Sequence, residues 1–215
     1  MVIHFSTTCF RRAGFVVAAL GLVAMGCSSR PAAIPAPDVD PDQLGEALLS
    51  EHDADGNGSL SASELEALPA INHRRDAYDA DKNGQVDLHE LTSRLERVFD
   101  GRTGLMAAAC RVTHNGKPLK DAIVHFVPIP TIDGSVAIAS GVTLTNGTTM
   151  LSIRQEDLPP NSPQRAGLVQ PGLYFVEVTH DRLKIPEQYN VKTTLGREIS
   201  PEVALAGAIE VPLKF

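Results

Sequence analysis

The chain has 215 residues, a formal net charge of −7, 43% hydrophobic and 21% charged content, enough for one mid-sized domain or two small ones. It has no tryptophan, and aromatic residues make up 5%. That excludes an aromatic-lined or basic platform for nucleic acid. Residues 38–100 hold 16 acids against 5 Lys/Arg, whereas residues 101–215 hold 10 acids against 11 bases. An acidic segment beside a nearly neutral one predicts two modules.

The N-terminus, "MVIHFSTTCFRRAGFVVAALGLVAMGCSS", opens with Arg11–Arg12 and an apolar run over residues 13–26. That run is too short for a span of about 30 Å of hydrocarbon but suits a signal peptide over residues 1–27. The residues after Arg11–Arg12 fit a twin-arginine export signal poorly. Ala24, Met25, Gly26 and Cys27 resemble the lipobox of bacterial lipoproteins, with Ala24 where that family prefers Leu. The resemblance implies lipidation of Cys27 after removal of the signal. Residues 28–40, "SSRPAAIPAPDVD", lack spaced apolar positions and read as an extended tether. Cys9 would leave with the signal, so Cys110 alone remains, which rules out an internal disulfide and reads as a buried, inert thiol.

Two acidic stretches follow, "DADGNGSLSASE" from Asp53 to Glu64 and "DADKNGQVDLHE" from Asp79 to Glu90. Calcium takes about six to eight oxygens at roughly 2.3–2.6 Å, and a twelve-residue loop wraps it with oxygens at positions 1, 3, 5, 7, 9 and 12. In the first loop those positions are Asp53, Asp55, Asn57, Ser59, Ser61 and Glu64; in the second, Asp79, Asp81, Asn83, Gln85, Asp87 and Glu90. Gly58 and Gly84 stand at position 6, where the turn demands positive φ. Leu60 and Val86 supply the apolar residue at position 8 that lets two loops pair. Over residues 41–100 the chain therefore resembles the EF-hand family, which implies two calcium sites, the second, with more acids, the tighter.

The flanks predict helices. "PDQLGEALLSEH" begins with Pro41 and spaces Leu44, Leu48 and Leu49 along one face. Ser61 and Glu64 have capping-box spacing, and Pro69 is expected to stop that helix. "LHELTSRLERVF" carries Leu88, Leu91, Leu95, Val98 and Phe99 as a core stripe. Only residues 65–78 separate the loops, so the middle helices must be short. Arg74 and Arg75 stand where a sensor would bury apolar residues, which favours a structural or buffering pair over a regulatory one. His52, His73 and His89 lack a second ligand at metal-binding spacing.

From Leu105 the texture turns to short β-rich runs, with turns at Asn115–Gly116 and Asn146–Gly147. Five to seven strands are expected over residues 101–215, a β-sandwich with Greek-key connections. The fold class is thus α+β in separate modules. "VTHNGKPLKDAIVHFVP", "PGLYFVEVT" and "KIPEQYN" resemble the transthyretin-like, carboxypeptidase-regulatory-like domain of bacterial lipoproteins over residues 106–215, departing from it at "TLTNGTTMLSI". The resemblance implies an envelope binding or structural module. No nucleophile elbow, phosphate loop or paired ligands appear, and His114, His125 and His180 read as surface residues.

The sequence therefore points to a non-enzymatic, exported, lipid-anchored calcium-binding protein of the cell envelope. Its implied partners are calcium, a membrane reached through Cys27, and an envelope protein or polysaccharide. Two alternatives are a dockerin-like docking module, which Glu64 and Glu90 disfavour, and a polysaccharide-binding or enzyme-accessory sandwich.

Overall fold

The computed structural model describes residues 34–99, 104–132, 134–160, 162–163 and 166–215. The predicted signal peptide, Cys27 and residues 28–33 of the predicted tether lie outside the described residues. Among those described, no helix is long and apolar enough to cross a membrane.

Helix α1 (Pro41–His52) starts where the Asp40 carboxylate accepts the N–H groups of Asp42 and Gln43, at 3.0 and 3.3 Å. Leu44 and Leu48 are buried and Leu49 packs partly against the core. Helix α4 (Leu88–Val98) buries Leu91, Leu95 and Val98, followed by Phe99, on the expected stripe. The two helices approach closely at Gly45, where a Cβ would come within 2.7 Å of the Thr92 hydroxyl.

Between them lie β1 (Ser59–Leu60), a 3-10 turn (Glu64–Ala67), α2 (Pro69–Asn72), α3 (Arg75–Tyr78) and β2 (Val86–Asp87). The middle helices are as short as the loop spacing demands. Pro69 does not end a helix; it begins α2, where its missing N–H has no intrahelical partner to lose. Strands β1 and β2 pair antiparallel, with Leu60 opposite Val86.

Among the described residues, the C-terminal part holds nine strands: β3 (Ala109–His114), β4 (Lys117–Pro118), β5 (Ala122–Pro128), β6 (Ala139–Val142), β7 (Thr148–Met150), β8 (Ser152–Ile153), β9 (Gly172–His180), β10 (Gly196–Ile199) and β11 (Ile209–Leu213). Helix α5 (Pro201–Ala206) precedes the last. A five-stranded sheet runs β10-β9-β5-β6-β8; a four-stranded one runs β11-β3-β4, with β7 also on β3. Alternating burial along β5 and β11 sends one face of each sheet into a shared core.

The count exceeds the expected five to seven because β4 and β8 are two residues long and β10, "GREI", has a charged centre. Asn115 and Gly116 turn with φ of 49° and 77°, as an Asn-Gly hairpin does. Their hairpin ends at Pro118, however, and β5 crosses to the other sheet. The final strand β11 lies parallel to β3, with Ile209 opposite Cys110. Cys110 is fully buried, and burial pushes its thiol up to about 12, the inert state expected of it.

The helical and β parts share one hydrophobic core within the unit Ala32–Phe215. Helix α2 lies on β10 so closely that a Cβ on Gly196 would sit 2.1 Å from the Ala70 nitrogen. Arg197 next to it is buried and donates Nε and Nη2 to the Glu210 carbonyl at 3.0 and 2.7 Å, stitching β10 to β11 across the sheets. Gly196→Ala is expected to cost about 1–3 kcal/mol, because the obstructing atoms are backbone. The readout is thermal unfolding by circular dichroism, where Tm should fall by several degrees.

Candidate metal centre

Both acidic loops close in the same way. Glu64 at the end of the first loop turns back so that Oε1 accepts the N–H groups of Ala54 and Asp55, at 2.8 and 3.4 Å. Its Oε2 accepts the Ser61 N–H and hydroxyl at 2.8 and 2.7 Å. In the second loop Glu90 Oε1 accepts from Ala80 and Asp81 at 2.8 and 3.1 Å, and Oε2 from Asp87 at 3.1 Å. A twelve-residue loop is thus pinned across its width by the carboxylate at position 12.

The sharp turns fall at the glycines, Gly58 and Gly84, with φ of 84° and 88°. Position 4 also takes the left-handed conformation, occupied by Gly56 at 70° and by Lys82 at 63°. Sequence reasoning passed over that position. The signal was present in Gly56 but masked in the second loop, where a lysine bears the backbone strain.

The carboxylates converge. Ligand atoms of Asp53, Asp55 and Glu64 lie within 4.8 Å of one another, and so do those of Asp79, Asp81 and Glu90. Asn57 and Asn83 stay in the loops as turn acceptors: Asn57 Oδ1 takes the Ser59 N–H at 2.9 Å and Asn83 Oδ1 the Gln85 N–H at 2.7 Å. The side chains of Ser59 and Gln85 join the two loops, the Ser59 hydroxyl donating to Gln85 Oε1 at 2.8 Å. The two position-9 residues do a different job. Asp87 caps α4 by accepting the Glu90 N–H at 2.8 Å, completing a capping box, and Ser61 bonds to Glu64. Asp87 stands outside the carboxylate cluster of its loop, in keeping with a position that reaches calcium through water.

The loops differ in what they leave unmet. Both oxygens of Asp53 are bonded, Oδ1 accepting from Gly56 and Asn57 and Oδ2 from Gly58. Asp79 and Glu90 are each 8% exposed, and Asp79 Oδ1 is buried without a hydrogen-bond partner among the described residues. An orphaned carboxylate oxygen beside two more carboxylates needs a cation. At an effective dielectric of about 20, each such like-charged pair repels by roughly 3 kcal/mol. Hard oxygens only, six or more per loop and in a flexible ring, fit calcium better than a smaller or softer metal.

Residues 46–69 and 76–95 match the family model described as EF hand. Over those residues the acidic segment is similar to an EF-hand pair. The match supports calcium as the ligand of the pair, and the two carboxylate clusters agree with it. No curated protein and no solved structure matches the chain. His73 and His89 are exposed and His52 is half-buried, and none joins either carboxylate cluster of the pair.

The hydrogen bonds from Ser61, then those from Ala54 and Asp55, hold the Glu64 carboxyl down at about 2, from an ordinary 4.5. A depressed acid contributes stability that is complete above its unfolded value and lost as pH falls through the folded one. In chelator, therefore, the excess stability of wild type over Glu64→Gln should be full above about pH 4.5 and vanish towards pH 2. Thermal unfolding of both proteins across that range measures it.

Proposed function

We propose that this protein is a calcium-dependent structural component of a cell envelope, exported by its N-terminal segment, held to a membrane through lipid on Cys27, and without catalytic activity. The observation that carries the calcium part is the buried, unpartnered Asp79 Oδ1 between Asp81 and Glu90. Two ions, one per loop, follow from the matching ligand sets. The second loop is the tighter site, since its carboxylates are more buried and one of them is unsatisfied.

Calcium contributes charge that neutralises three repelling carboxylates in each loop. The chain's own residues do the rest: the glutamates close the loops, the β1–β2 ribbon couples them, and α2 and α4 transmit their geometry to the β-sheets. Weak affinity suffices outside a cytoplasm. A site of about 0.1 mM in about 1 mM calcium adds roughly 1.4 kcal/mol to stability. The export and lipid anchor rest on the signal-like run and on the lipobox resemblance at Cys27. The likeness of residues 106–215 to the transthyretin-like domain supports a binding or structural role for the sheets.

Calcium titration calorimetry on residues 28–215 is the direct test. Two binding events are expected, the first loop's lost in Glu64→Gln and the second's in Glu90→Gln; silence at millimolar calcium would end the reading. For the anchor, labelling with a radioactive fatty acid should mark wild type and not Cys27→Ser, and the variant should leave the membrane fraction.

A further inference from the structure

Arg94, four residues beyond the second loop, pairs with a carboxylate of the β-sheet, and the ring of Tyr78, just before the loop, lies beside its guanidinium. Tyr78, immediately before Asp79, is fully buried. Arg94, one helical turn after Glu90, is 3% exposed. The Arg94 guanidinium lies 6.0 Å from the Tyr78 ring centroid and donates Nε and Nη2 to Glu198 of β10, at 3.1 and 2.5 Å. The Glu198 side chain is fully buried, and the Ser200 hydroxyl donates to its Oε1 at 2.9 Å. Arg94 Nη1 reaches Glu202 of α5 at 2.8 Å, and Arg74 reaches the other oxygen of Glu202 at 2.7 Å.

These groups are mutually committed. The Tyr78 hydroxyl is buried with no hydrogen-bond partner among the described residues, so what it brings to the group is the ring beside Arg94. Against the opposing effect of burial, the bonds to Glu198 and Glu202 hold Arg94 above its own. A bidentate buried pair tolerates little displacement, since moving either partner strands a charge in a dry site. The first loop reaches β10 only through packing, where α2, which follows it, abuts Gly196. His52 before it is 3.9 Å from its neighbour Glu51, and among the described residues no ion pair links that loop's flanks to the β-sheets.

We propose that β10 is the internal target of the second calcium loop, read through the Tyr78–Arg94–Glu198 clamp, so that calcium at this loop and docking of the helical pair onto the β-sheets reinforce each other. An ion drawing Asp79 and Glu90 together sets the spacing of the two ends of the loop. That spacing is the one at which Arg94, with the Tyr78 ring beside it, closes on Glu198. Linkage makes the effect reciprocal: a docked β10 raises calcium affinity by the factor by which calcium favours docking. The first loop binds without this reward. The inference rests on the calcium reading above and adds an asymmetry which that reading does not require.

The test uses the full chain in detergent, with calcium alone as ligand. Glu64→Gln isolates the second loop and Glu90→Gln the first. Into each background go Glu198→Gln and the apolar pair Arg94→Met with Glu198→Leu. Glu198→Gln leaves Arg94 its partner Glu202, so it is read by itself if the double variant fails to fold. Calorimetry should then give a loss of affinity of about five-fold or more at the second loop, with the first loop little changed. Calcium should also slow amide hydrogen exchange across Gly196–Ile199 when only the second loop is intact, and not when only the first is. Equal losses at both loops, or an unchanged second loop in a protein that binds calcium, would overturn the clamp. Absence of calcium binding in wild type would overturn the calcium reading itself, and the clamp with it.

Discussion

A guanidinium and a carboxylate removed from water lose several kcal/mol of hydration apiece, and the rest of this fold is arranged around one such pair, Arg94 with Glu198. The loss is offset because little is left unbonded: Arg94 donates to Glu198 twice and to Glu202 once, and Ser200 satisfies Glu198 further. Glu202, pulled down by Arg94 and then Arg74, brings α5 and the region between the loops into the same network. Once that geometry is imposed, β10 must lie under α2, and only glycine fits at residue 196. The helical pair is therefore a fitted part of the body, although its acid content reads as an independent module.

The loops show how one pattern yields two different sites. Both glutamates close their loops by accepting backbone N–H groups. Asp53 finds all its donors within its own loop, which lies at the surface. Asp79, deeper and held by Tyr78 on one side, receives only the Gly84 N–H, leaving Oδ1 for a metal. Burial, which penalises an uncompensated carboxylate, is thus what raises the value of an ion at the second site.

Much of this was legible residue by residue. Ligand spacing, the glycines at position 6 and the stripes on α1 and α4 all depend on separations under about fifteen residues, and the pairing of Leu60 with Val86 follows from position 8 recurring in both loops. The nine-strand count was not, because β4 and β8 are too short to show alternation and β10 carries Arg197 and Glu198 at its centre. Nothing near them in the chain announces that Glu198 is paired with a residue 104 positions away.

What the sequence determined by itself is the chemistry of the loops, since a twelve-residue wrap is a local affair in which side-chain type and spacing suffice. It also determined that Cys110 is an inert core residue, through the apolar run around it. Tertiary structure alone decided that Asp79 would be orphaned, that Asp87 would cap a helix, and that Arg94 would pair with Glu198 of β10. Each of these depends on which groups lose their water together, and desolvation is a property of the packed assembly that no stretch of chain carries alone.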